Sequence, residues 1–356
     1  MSSFYINLPI GAATIIAIAF ILKIPGQVRP AGGRWTQQLA RLDPLGNLLF
    51  LPAVVCLLMA LQWGGVEHPW NSGAVVAPLV LSVVLFAAFV VVQVRGGENA
   101  TIPLRVVRRR CVLSASTFGL CLLSSYLGLI YYLPIWFQAI QEASAVQSGL
   151  RCLPSMLAVV VFSLVSGGGL RFINHYVPLA VASSVLTTVG AALMTTFSAD
   201  EASPRWIGYQ VVFGAGVGLG VQLGVMAVQT TLETRDIAVG IAIVSFAQYL
   251  GGAVCLAVYQ GVFNNYLVAR LAALLPDLDP DVIKTIGATN IKQVVGPEQY
   301  ETVREVYHEA LTRCWYISVA MAALSIVGSL SMEWGPIMKP NRIDPVEGEG
   351  ESIPEK

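Results

Sequence analysis

Nine stretches of this chain run for about 20 residues almost without charge: 4–22, 44–62, 74–92, 112–137, 149–168, 177–197, 207–229, 240–260 and 314–334. A helix of that length crosses the ~30 Å hydrocarbon core of a bilayer. The runs hold two formal charges, Arg151 and Glu333, each within a turn of a run's end. Inside lipid every backbone amide must find its partner within the structure, which helices of this length do by themselves. The expected fold class is therefore an all-α membrane protein. Composition agrees, because 55% of the 356 residues are hydrophobic and only 12% are charged. A typical soluble domain carries about 25% charged residues, and so few charges cannot cover a soluble surface of this size.

The 21 basic and 21 acidic side chains cancel, so no net charge points to a nucleic-acid partner. Their placement carries more information. Fourteen Lys and Arg fall in 23–43, 93–111, 169–176, 230–239 and the tail 335–356, against two, Arg151 and Arg205, in the alternate loops. Basic residues stay cytoplasmic in short loops, so the expected topology has the start of the chain outside and the tail inside. The segment 261–313, which holds the other five basic residues, then lies outside, at a length where the charge rule weakens.

The six cysteines lack metal-ligand spacing, and His68, His175 and His308 fall between the apolar runs. No metal site, no cofactor site and no disulfide framework is expected. No nucleophile stands beside a base, so catalytic residues are expected to be none and the chain is not expected to be an enzyme.

The run 4–22 lacks the basic leader of a signal peptide, since its first positive charge, Lys23, follows it. The segment 23–43 is a cytoplasmic linker, with Asp43 placed to cap the next helix. A hairpin of two spans follows at 44–92, and six spans at 112–334, the half-unit of many transporters, divide into the triplets 112–197 and 207–334. In the outer segment Leu267, Leu271, Leu274 and Leu275 keep helical spacing, Pro276 and Pro280 interrupt, and Val303, Val306, Tyr307, Ala310 and Leu311 resume it. Short amphipathic helices lying on the outer surface are expected there. The acidic tail 335–356 is expected to be disordered. An odd number of spans, opening three residues from Met1, reads as an N-terminal truncation or a half-molecule.

The stretch GAGVGLGVQLGVMAVQ places Gly214 and Gly218 on one helical stripe and Gly216, Gly220 and Gly224 on another. Small residues at that spacing let helices approach closely in lipid, and a glycine-rich helix can also bend, so helix packing and a hinge are both open readings. Polar side chains inside spans are costly and mark pathways. Tyr126, Tyr131, Gln222 and Gln248 are the substrate-cavity candidates, with an interhelical hydrogen bond as the competing reading for each glutamine. No Asp, Glu, Lys or Arg lies deep in a run.

These residues resemble the fungal fourteen-span drug:proton antiporters of the major facilitator superfamily. Phe4–Ala12 (FYINLPIGA) is similar to the start of that family's sixth span. Leu42-Asp43-Pro44-Leu45-Gly46 with Leu58–Gly65 (LMALQWGG) is similar to its seventh. Tyr131–Gln138 (YYLPIWFQ), Ser148-Gly149 and Leu153-Pro154 resemble its ninth and tenth. Trp206–Gln210 (WIGYQ), the glycine ladder, Gln229, Asp236, Gly240 and Phe246-Ala247-Gln248 resemble its twelfth and thirteenth. The resemblance implies a partial major facilitator fold: 4–22 as the last span of the N-terminal half, 44–92 as two extra central spans, and 112–334 as the C-terminal six-span half. It implies proton-coupled efflux of small amphipathic compounds such as secondary metabolites or toxins, with protons, a small-molecule substrate and the lipid bilayer as partners, in the plasma membrane. The alternative is an N-terminally truncated, non-transporting fragment of such a carrier.

Overall fold

The computed structural model describes residues 7–21, 43–65, 67–97, 102–198, 203–274 and 297–335. The linker 23–43 apart from Asp43, the prolines Pro276 and Pro280 with Leu275, and the tail beyond Gly335 lie outside the described residues. The chain divides into two units, Met1–Pro44 and Leu45–Lys356. In the first, α1 (Asn7–Ile21) is a 15-residue apolar helix. Its Leu8, Ile15 and Phe20 are all exposed, so it is apolar all round, as a helix in lipid is.

Helices α2 (Pro44–Trp63) and α3 (Gly73–Gly96) form the hairpin. Each buries one narrow seam at seven-residue spacing, Gly46, Ala53 and Ala60 on α2 and Val75, Ser82 and Phe89 on α3. Seven residues are almost two turns, so each seam is a single line along its helix. The other faces expose leucine and valine. Phe50 joins the hairpin to the rest, with its ring centroid 4.9 Å from Phe89 and 4.9 Å from Phe246.

The remaining helices are α4 (Leu104–Val107), α5 (Arg110–Ala139), α6 (Ala145–Arg151), α7 (Leu153–Ile173), α8 (Val177–Met194), α9 (Ser203–Gly220), α10 (Leu223–Thr231), α11 (Thr234–Leu274) and α12 (Pro297–Ser331). Among the described residues eight helical segments are long and apolar enough to cross a bilayer; α1 is shorter, and α6–α7 and α9–α10 each count as one segment. α12 packs along α5 and α8, α9 along α7 and α8, and α11 along α5. Successive spans run antiparallel, so the bundle has two distinct ends. At one, Trp136, Phe137, Phe197, Trp206 and Trp315 bury an aromatic cluster. At the other, Val106, Val112, Tyr176, Leu223 and Met332 pack together, and the Tyr176 hydroxyl donates to the Glu333 carbonyl.

Hydroxyl groups join the helices between those ends. Ser183 donates to the Gly216 carbonyl at 2.7 Å, Ser325 to Ser184 at 2.9 Å, and Ser318 to the Ser125 carbonyl at 3.1 Å. Such bonds contribute about 0.6–2 kcal/mol each inside a membrane.

Five of these readings are corrected or refined. Within 261–313 the described residues 261–274 and 297–313 do not form short separate helices, because α11 runs on to Leu274 and α12 begins at Pro297. A 41-residue helix is about 60 Å long, roughly twice the bilayer core. The periodic residues Leu267, Leu271, Val303, Val306, Tyr307, Ala310 and Leu311 are buried in one cluster, so the two helices bury their apolar stripes in this cluster rather than against lipid. His308 accordingly sits within α12 and not in a loop. The span read at 207–229 is interrupted at Val221–Gln222, and the one at 149–168 opens with a break at Cys152. Asp43 precedes α2 with φ of 46°, whereas a capping residue has extended backbone.

Candidate functional site

The glycine-rich stretch builds the centre of the bundle. A Cβ placed on Gly214 or Gly218 would lie closer than 3.0 Å to the backbone of Ser155 or Val159 on α7. A Cβ on Gly216 would strike the backbone of Thr187 on α8, and one on Gly220 would meet Ser183 Oγ, Leu122 and Phe118. One glycine stripe therefore seats α7, and the other seats α8 and α5. Gly224 is looser: a Cβ there would lie 3.3 Å from the Ala115 carbonyl oxygen and 3.7 Å from Gln248 Nε2.

Beyond Gly220 the helix stops and α10 restarts at Leu223. The last carbonyls of a helix have no donor of their own. Here Val221 N–H serves Val217 O at 2.9 Å, and Ser166 Oγ reaches across from α7 to Leu219 O at 2.8 Å. Irregular backbone at membrane depth is tolerated where protein satisfies it or where it lines a cavity, and this break does both.

The break opens onto a cavity of about 140 Å³ between α5, α9–α10 and α11. Gln222 and Gln248 line it together, with Ser245 and Tyr249 beside them and Leu122, Leu123, Val217, Val221 and Val225 as apolar walls. Gly119 of α5 also lines it, and a Cβ there would fall closer than 3.0 Å to the Gln248 side chain, so the absent side chain makes room for that amide. Neither glutamine amide has a hydrogen-bond partner among the described residues.

Tyr126 lies further along α5 and stacks on Phe213 of α9, with centroids 6.4 Å apart and planes 19° apart. Because α5 and α9 run in opposite directions, both rings lie toward the aromatic end of the cavity. Tyr131 is not part of this site. It is 55% exposed and meets Tyr132 edge-on, because five residues turn it about 140° away from Tyr126 around the helix. Sequence reasoning missed Gly119, Ser245, Tyr249 and Phe213. The spacing Ser245, Gln248, Tyr249 on one helical face was the available signal.

At the end of the bundle remote from the aromatic cluster, Arg105 of α4 donates two hydrogen bonds to Asp236 in the first turn of α11, 2.7 Å to Oδ2 and 2.9 Å to Oδ1. Asp236 is 7% exposed. The Arg105 hydrogen bonds, together with the positive charges of Arg105, Arg235 and Arg109, hold its carboxyl below the usual range despite partial desolvation. A carboxylate also suits the N-terminus of a helix. One turn along α11, on a different face from the glutamine cavity, Val239, Ala242, Ile243 and Phe246 line an apolar cavity of about 170 Å³ with Asn47, Phe50, Phe89 and Ile102. Among the described residues no group of His, Cys, Asp and Glu could hold a metal ion.

Eight bilayer-length helices, glycine-seated crossings and hydroxyl links at membrane depth define an integral, multi-pass membrane protein. No protein-family model matches the chain. It is 45% identical over 342 residues to the MFS-type efflux pump MFS1 of Arthroderma benhamiae, covering 96% of this chain and 64% of that protein. It is 44% identical over 330 residues to the MFS acetylaranotin efflux transporter ataA of Aspergillus terreus, covering 93% of this chain and 73% of that one. It is 42% identical over 347 residues to the efflux pump roqT of Penicillium rubens, covering 98% and 64%. The chain belongs to the MFS-type efflux transporters, the major facilitator class. It spans somewhat less than two thirds of the first of these relatives.

Proposed function

We propose that this chain forms one wall of the substrate path of a proton-coupled efflux carrier for small amphipathic compounds, such as secondary metabolites or toxins. In this reading 112–334 is the C-terminal six-span half and 44–92 the pair of extra central spans of a fourteen-span architecture. The Arg105 end faces the cytoplasm, the aromatic end faces outside, and the membrane is the plasma membrane. The relatives support this reading, since they are named as efflux pumps and one is named for acetylaranotin.

The observation that carries it is the pairing of two amides, Gln222 and Gln248, without hydrogen-bond partners among the described residues, in one apolar-walled cavity beside a broken helix. Ligand sites are mostly apolar with a few placed polar groups, and they run to about 300–1,000 Å³. A cavity of about 140 Å³ is one side of such a site. Amides and hydroxyls pair with uncharged carbonyl and hydroxyl groups, which suits neutral amphipathic molecules. The glycine stripes would let α9–α10 rock against α7 and α8 around the break.

The test is equilibrium binding of uncharged amphipathic compounds to the chain in nanodiscs. A neutral hydrogen bond contributes about 0.5–1.5 kcal/mol, so Gln248→Ala should weaken binding about 2- to 10-fold. Unchanged affinity in the Gln222→Ala/Gln248→Ala double variant would overturn the assignment of the site. Proton coupling is tested separately: with one wall of the path in this chain, proteoliposomes holding the chain alone should show no gradient-driven export, and export that an uncoupler abolishes would refute the one-wall reading.

A further inference from the structure

Where α11 and α12 leave the bundle at its aromatic end, their polar faces frame an open cleft of about 640 Å³. Arg270 and Arg313 stand on its rim with Tyr266, Glu309 and Tyr316. We propose that this cleft binds the phosphate of a phospholipid headgroup from the leaflet at that end. The proposal does not depend on what the carrier exports.

Depth is the first argument. Glu309, Arg313, Tyr316, Leu324 and Val327 follow one another at helical spacing on a single stripe of α12. Leu324, Val327 and Leu330 are exposed apolar side chains, the face such a helix turns to lipid. Arg313 lies eleven residues from Leu324, about 16 Å along the axis, and half of a ~30 Å hydrocarbon core is about 15 Å. With Leu324 near the bilayer centre, Arg313 stands at the headgroups. Tyrosines also concentrate at that level, and Tyr266 and Tyr316 flank the arginine.

Charge and geometry are the second. The Arg313 guanidinium lies 4.1 Å from the centroid of the Tyr266 ring. Stacking holds the plane of a guanidinium and leaves its N–H edges free for oxygen acceptors. The Tyr266 hydroxyl donates to Glu309 Oε2 at 2.5 Å, and Arg270 Nε stands 3.8 Å from that same oxygen. Among the residues lining the cleft the two arginines outnumber the one carboxylate, Glu309, by one positive charge. Thr312 uses its hydroxyl on the His308 carbonyl at 2.9 Å. His308 accepts from Trp136 Nε1 at its Nδ1, 3.1 Å away. An imidazole that accepts at one nitrogen is the neutral form, so His308 adds no charge to the cleft. Paired arginines are the side chains best matched to phosphate oxygens.

The test uses the purified 356-residue chain, delipidated in detergent and titrated with phosphatidylglycerol or phosphatidylcholine under native mass spectrometry. The wild type should retain a phospholipid through gentle activation, and Arg270→Gln/Arg313→Gln should retain at least tenfold less. Arg95→Gln, at the opposite end of the bundle, should match the wild type. Equal retention in the double variant overturns the proposal. So does complete displacement of the lipid by millimolar inorganic phosphate, which would make the cleft a site for the free anion. A diazirine-bearing phospholipid applied to the wild type is an independent measure should the double variant fold poorly. Crosslinks within 266–270 and 309–316 are expected, and crosslinks confined to other segments refute the assignment.

Discussion

Replacing Gly218 by alanine puts a methyl carbon 2.5 Å from the Val159 carbonyl oxygen and 3.0 Å from Val159 Cα. Ordinary close contacts between carbon and carbonyl oxygen lie at about 3.3–3.6 Å, so α7 and α9 must part by roughly 0.8 Å at this crossing. The atom struck is backbone, so no side-chain rotation relieves it. A radial gap of about 0.5–1 Å forfeits a quarter to a half of each van der Waals contact across an interface, and overpacked sites lose about 1–3 kcal/mol in all. Gly208 is the control, because it lies on the same helix and a Cβ there meets nothing within 4 Å. Both changes gain the same helix propensity, up to about 1 kcal/mol, so their difference isolates the collision. Gly218→Ala should be about 1–3 kcal/mol less stable than Gly208→Ala, read from reversible unfolding in mixed micelles or from the shift in thermal midpoint in detergent. Equal stability of the two variants would mean that the α7–α9 crossing is not closely packed, and the steric account of the glycine stripes would fall.

The Asp236 carboxyl is held below its unfolded value, so its contribution to stability is complete above the unfolded pKa of about 4 and is lost as pH falls through the lower folded value. The thermal midpoint should therefore drop in that acid window, and Asp236→Asn should lack that part of the slope; identical pH profiles would refute the linkage. Gly119→Ala should cost little stability, because the obstacle is the movable Gln248 side chain, yet weaken binding of neutral amphipathic compounds several-fold; a variant that binds normally would place the ligand elsewhere. In a background without the six native cysteines, Val146→Cys should react with an impermeant thiol reagent on intact cells and Glu233→Cys should not. The reverse pattern would invert the proposed orientation.

What the sequence by itself determined is whatever depends on neighbours along the chain. Hydropathy over about twenty residues marks a span because the bilayer tests each helix separately for length and charge. The glycine stripes were readable for the same reason, since helical pitch alone puts Gly214 and Gly218 on one side and Gly216 and Gly220 on the other. Only the tertiary structure decided what those stripes touch. Gly214 and Gly218 meet α7 and Gly216 meets α8, and a helix in lipid has no hydrophobic drive that would announce its partner in its composition. The same limit governs the cavity. Tyr131 and Tyr126 are equally polar and lie in the same run, but the rotation of α5 about its axis sends Tyr131 outward and sets Tyr126 on Phe213. Gln222 and Gln248 look alike in sequence as isolated polar residues, and they become one site because the break after Gly220 and the missing side chain of Gly119 bring their amides to the same space. The period of Leu267 and Leu271 was equally plain and equally silent about its partner, while Leu274 on the same stripe stays exposed. Periodicity says that a face must be buried; it does not say against what, and here α12 supplies the answer that a membrane surface was expected to give.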